Sequence, residues 1–149
     1  MRINNFGVYF GYYDPEEEHD YDPETALISS DEMKPFLTGK ESLMFSLDKA
    51  LCNWPDIGPK ANVNIIRASI NITINNPPVL HFPKHNPPIP DLSEISVVVD
   101  TDFDGEGVVV KGKNGGILED FSDRYQDDLT FRQLNRIINQ VLKRKEKIQ

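Results

Sequence analysis

Acidic side chains dominate the chemistry available to this chain. Asp100-Thr101-Asp102-Phe103-Asp104-Gly105 sets acids at the first, third and fifth positions and glycine at the sixth. That is how a loop begins when it wraps calcium in oxygen ligands. Lys111 stands at the twelfth position, where such a loop needs a bidentate acid, and the flanks Ile95–Val99 and Val108–Val110 are β-branched and not helical. The segment is therefore read as an acidic hairpin tip, with a small calcium-binding module as an alternative. His81 and His85 have the His-x-x-x-His spacing that grips zinc from one helical face. Pro83, Pro87 and Pro88 forbid that helix, and His19 lies elsewhere, among acids, so no metal or other cofactor is expected. Cys52 falls beside Leu51 and near Trp54, where a buried structural thiol is expected and not a nucleophile with a base and a route to solvent. No G-x-S-x-G, P-loop or G-x-G-x-x-G pattern occurs, and no spacing among the carboxylates singles out an acid–base pair, so no catalysis is expected. Pro87-Pro88-Ile89-Pro90 carries a P-x-x-P spacing without an adjacent base (Lys84 is nearest) and is read as structural.

The densest feature is Asp14–Glu24, in which seven of eleven residues are acids. Self-repulsion on that scale demands solvent, so an exposed loop is expected. Tyr13 and Tyr21 frame the acids, and a tyrosine bordered by carboxylates anchors a basic protein surface through aromatic area and paired charge. Such complementarity also accelerates encounter. The candidate partner-binding residues are therefore Tyr13, Asp14, Glu16, Glu17, Glu18, Asp20, Tyr21 and Asp22, together with Asp100, Asp102, Asp104 and Glu106.

These side chains need a scaffold. Phe6, Val8, Phe10 and Tyr12 alternate with Gly7, Tyr9, Gly11 and Tyr13, which predicts a strand ending at Asp14-Pro15. Leu43, Met44, Leu47, Ala50, Leu51 and Trp54 fall at helical intervals and predict a helix over 41–54 that stops before Pro55. Over 62–74, Ile66, Ala68, Ile70, Ile72 and Ile74 are expected to share one strand face, with Arg67, Ser69, Asn71 and Thr73 on the other. Six prolines in 75–90 allow only an extended connection covering an edge of the core. Ile95–Val99 and Val108–Val110 form a hairpin about a turn from Asp100 to Gly107, and Gly112–Gly116 form another turn. Thr130 caps a final amphipathic helix with Phe131, Leu134, Ile137, Ile138, Val141 and Leu142 as its stripe. The expected fold is α+β: a mainly antiparallel sheet with two helices packed on one face, in a single domain over 1–149.

Net charge is −8, unevenly spread. Residues 1–128 hold 23 acids against 10 bases, whereas 129–149 hold one acid, Glu146, against six bases. The acidic body repels a polyanion, so nucleic acid is not an expected partner. The basic tail is accounted for by the carbonyl end of the last helix, where cations are favoured. No apolar window approaches a bilayer span, Met1–Asn5 lacks a secretion leader's pattern, and one cysteine suits a reducing compartment. Asn71-Ile72-Thr73 matches a glycosylation sequon by coincidence on that reading. A cytoplasmic monomer or weak dimer, with no membrane partner, is expected.

The run Asp14–Glu24, the Asp100–Glu106 tip and the series Glu119, Asp120, Asp123, Asp127 and Asp128 give the chain a further character. In size, acidity and the absence of a catalytic motif it resembles the immunity proteins of bacterial contact-dependent inhibition and polymorphic toxin systems. The resemblance implies tight binding to a cognate toxin domain, often a basic nuclease, with acids masking its cleft or blocking an exosite. The competing expectation is a structural or adaptor subunit of a phage or secretion assembly. In that case the exposed aromatics of the first strand would form a self-association face.

Overall fold

Alternation of large apolar with small or polar residues builds one sheet with a single buried face. The computed structural model describes residues 1–77, 92–103, 105–122, 124 and 128–147. Its strands are β1 (Arg2–Asp14), β2 (His19–Ser29), β3 (Asn62–Thr73), β4 (Glu94–Phe103), β5 (Gly105–Gly112) and β6 (Ile117–Asp120). They pair antiparallel throughout in the order β2-β1-β3-β4-β5-β6. A 3-10 turn over Ser30–Met33 leads into the short helix α1 (Lys34–Leu37), followed by α2 (Leu43–Cys52) and, after the sheet closes, α3 (Phe131–Lys147). The fold is α+β with a mainly antiparallel sheet.

The core lies between the sheet and the helices. Phe6, Val8, Phe10, Ile70, Val97 and Val110 from the sheet share one cluster with Phe36, Leu47, Leu51, Leu134, Ile137 and Val141 from the helices. Phe36 of α1 bridges the layers, with Phe6 edge-on at 5.9 Å and Phe131 at 5.8 Å. Each of these side chains contributes about 1.5–3 kcal/mol by leaving water. Among the described residues, no helix is long and apolar enough to cross a membrane.

Two tertiary details fix the helices. Thr130 and Gln133 cap α3 reciprocally: the Gln133 N–H donates to Thr130 Oγ1 at 3.2 Å, and the Thr130 N–H to Gln133 Oε1 at 2.9 Å. The α2 N-terminus is capped from a distance, because the Met44 N–H donates to Asp128 Oδ1 at 2.9 Å and the Ser42 hydroxyl donates to the same carboxylate.

Several expectations need correction. Asp14–Glu24 is not one loop, because only 15–18 turn and β2 begins at His19. Repulsion between its acids is relieved on an edge strand, where polar side chains face solvent while Ala26 and Ile28 meet Val8 and Phe6 on the core side. Pro23 is tolerated because it lies at a bulge, where Asp22 and Pro23 stand opposite Gly11. Ile66 is not on the core face. The register skips it between Tyr9 and Phe10, so Val63 and Ile65 pack inward instead. The turn from Asp100 to Gly107 is shorter than expected, since pairing continues to Phe103 opposite Gly105. Of the first strand's aromatics, Phe6 and Phe10 are buried and Tyr12 is partly buried, while Tyr9 is exposed on the opposite face. Cys52 is half-buried, not enclosed. His81, His85 and the P-x-x-P segment lie outside the described residues.

Candidate functional site

Antiparallel register decides where the acids go. Asp14 pairs with His19 and Tyr13 with Asn62, so the β1–β2 turn and the start of β3 share one end of the sheet. β4 runs from Glu94, opposite Thr73, toward the pairing of Phe103 with Gly105, so the β4–β5 turn reaches that same end. The two hairpins thus end on the same side of the sheet, about three strand spacings, or about 14 Å, apart across the strands, with the β1–β2 turn reaching further along them.

The first of them is stiffened by an aromatic ladder. Tyr12 stacks on Tyr21 with ring centroids 4.5 Å apart, Phe10 follows Tyr12 at 6.2 Å, and His19 meets Tyr21 edge-on at 4.5 Å. The ladder runs from the core to the tip. The Tyr21 hydroxyl donates to Glu17 Oε2 at 2.8 Å, which pulls that carboxylate back over the ring and raises the phenol's pKa to about 12. The Tyr12 phenol is also raised, by desolvation first and then by Glu24, Asp56, Asp14 and Glu17. Its hydroxyl donates to the Asp56 carbonyl at 3.3 Å. Inside the turn, Asp14 Oδ1 accepts the Glu16 N–H at 2.9 Å, and Glu16 meets Lys60 at 3.0 Å, both well exposed. Glu18 adopts φ 50°, the left-handed region that favours glycine.

The structure sorts the expected residues. Asp14, Glu16, Glu17, Glu18, Asp20 and Tyr21 gather on the hairpin end, and Asp22 projects from the bulge. Tyr13 does not frame the acids together with Tyr21. It pairs with Asp20 and Asn62, and strand alternation turns it to the opposite face. Tyr12, which sequence reasoning passed over, is the partner of Tyr21. The parity it shares with Phe10 was the available signal.

Asp100 is not part of a free tip. It sits within β4 opposite Gly107 and pairs with Arg67 at 3.2 Å. Thr101 donates to the carbonyls of Ile65 and Ile66, each at 2.9 Å, which fastens β4 to the β3 bulge. Asp104, and the side chains of Asp102 and Glu106, lie outside the described residues. Two acids from the C-terminal series are structural: Asp128 caps α2, and Asp120 accepts the Ser122 N–H at 2.9 Å, its pKa lowered first by the Ser122 side chain and then by that N–H.

Away from the hairpin, a hollow of about 350 Å³ opens beside α2, lined by Glu32, Pro35, Glu41, Lys49 and Trp54 among others. Its charges are largely paired: Lys49 binds Glu41 at 2.8 Å and holds that carboxyl below its ordinary value, and the Trp54 indole N–H donates to Glu32 at 3.3 Å. The Cys52 thiol is raised by desolvation and then by Asp48, the reverse of what an activated nucleophile requires. Among the described residues, no three His, Cys, Asp or Glu side chains gather as a metal site would require. Comparison with protein-family models, curated proteins and solved structures finds no match to this chain.

Proposed function

We propose that this chain is a binding protein of the bacterial cytoplasm that neutralises a basic toxin domain, a nuclease being the best fit, and that its β1–β2 hairpin tip makes the contact. It acts by occupying a positively charged surface and not by catalysis. One observation carries the reading: an acid-dense tip is held out on an ordered prong, with Tyr12, Tyr21 and Glu17 fixing its shape. Flexible acids lose entropy when a partner fixes them, whereas acids on a stiff hairpin have already lost much of it. Glu18 supports the same view, since a carboxylate stands at a backbone position that glycine would occupy more cheaply. The general resemblance to immunity proteins supplies the class of partner. Charge supplies the attraction, with −8 overall facing a cationic cleft.

The test begins at the gene. The open reading frame immediately upstream is expected to encode the C-terminal domain of a large secreted toxin, and co-expression of this chain is expected to protect cells from that domain. A gene that stands alone, or a product that fails to protect, removes the proposal.

A further inference from the structure

The helices cover one face of the sheet, and among the described residues nothing covers the other. On that face one registered row runs Leu27, Gly7, Ser69, Val98, Val109, Asp120 across all the strands. Its relief is uneven. Leu27 on edge strand β2 is 66% exposed, as is Ile117 on edge strand β6, while Gly7 and Ser69 form a low floor between them. The space over Gly7 is taken up by its neighbours, because a Cβ there would stand 2.7 Å from Ser69 Oγ and 3.9 Å from Leu27 Cδ2. Shallow hollows of about 370 and 390 Å³ open along this face.

Charge distinguishes this surface from the rest of the molecule. The row above and its two neighbours, through Tyr9 and through Asn5, carry Arg67 and Lys111 against Asp100 and Asp120, a net of zero on a chain of −8. Copies of this protein repel each other over most of their surface but not here. A basic partner, drawn to the acidic rim, gains nothing from a neutral face. The geometry points to a second copy of this chain as the occupant, the two sheets packing face to face about a two-fold axis. Such a contact needs a surface complementary to itself. Leu27 and Ile117, at the two edges of this face, are the exposed apolar side chains that such a contact would bury. Six strands by about six residues make a footprint of about 600 Å² before side-chain relief is added, close to the roughly 800 Å² per partner of a standard interface.

This inference is independent of the toxin reading, because it uses a different surface. It is tested by light scattering on the full chain after size exclusion, with reductant present so that Cys52 cannot cross-link. The mass is expected to rise from one chain to two between about 1 µM and about 1 mM protein. Leu27→Glu and Ile117→Glu are each expected to weaken association at least about tenfold. Both are exposed side chains, so circular dichroism and melting should stay as in the wild type. A variant with Glu16, Glu17 and Glu18 changed to Gln should dimerise as well as the wild type. A single-chain mass throughout overturns the inference, and so does a dimer that both glutamate variants leave intact.

Discussion

Tyr21 shows how one side chain serves both structure and site. Its ring closes the ladder that begins at Phe10, and its hydroxyl restrains Glu17. Because that bond needs the phenol's proton, the folded pKa is raised from 10.0 to about 12. Its contribution to stability is complete below the ordinary value and disappears as pH rises through about 12. Spectrophotometric titration should therefore show late phenol ionisation, to which Tyr12 also contributes, and Tyr21→Phe should remove the part that titrates near 12. A wild-type curve with no late phenol would contradict the bond. The same substitution keeps the ring, so the stack on Tyr12 should survive it. The site was only half legible here. Acid density marked the tip, but the pairing of Tyr21 with Tyr12 depends on register, and the Asp22–Pro23 bulge sets that register. Tyr13 and Tyr21 flank the acids along the chain but lie on opposite faces of the hairpin, because adjacent residues on a strand face opposite ways and Tyr12 is the one opposite Tyr21.

At the scale of elements, period and punctuation made much of the fold legible. Strand β3, the β4–β5 hairpin, helix α2 and the Thr130 cap of α3 all follow from apolar spacing and flanking residues. Strand β2 did not, because its acids mask a short apolar alternation at Ala26 and Ile28 that becomes clear only once β1 is beside it. Ile66 misled for a related reason: a bulge reverses parity without leaving a mark in the residue types. Asp128 is the plainest case of information outside the sequence pattern. It caps a helix whose first residue, Leu43, lies far away in the chain. Asp128→Ala should cost about 1–2 kcal/mol in denaturant unfolding by leaving the Met44 N–H and the Ser42 hydroxyl without their acceptor. Asp128→Asn should recover part of that, since an amide oxygen still accepts. Equal stability of all three proteins would contradict the cap.

For the whole molecule, the unequal spread of charge is the organising fact. The helices bury one sheet face, while the rim at the β1–β2 turn gathers acids of which Asp14, Glu16 and Glu17 are held within the hairpin or by Lys60, and Glu18, Asp20 and Asp22 are exposed. Elsewhere several acids are occupied: Asp100 with Arg67, Glu41 with Lys49, Asp120 and Asp128 with backbone N–H groups. Composition alone made every acid a candidate, and the structure separates those that hold the fold from those that reach out. An acidic rim on a rigid sheet steers a cationic partner from a distance, and salt weakens that steering.

The most direct measurement is the association rate between this chain and the basic toxin domain proposed as its partner, followed by stopped flow from low to physiological salt. The comparison is with a variant in which Glu16, Glu17, Glu18, Asp20 and Asp22 are replaced by their amides. The wild-type rate should fall steeply as salt rises, and the variant should associate about 100-fold more slowly at low salt with little salt dependence. A variant that associates as fast as the wild type and still protects cells would contradict the claim that the hairpin tip makes the contact.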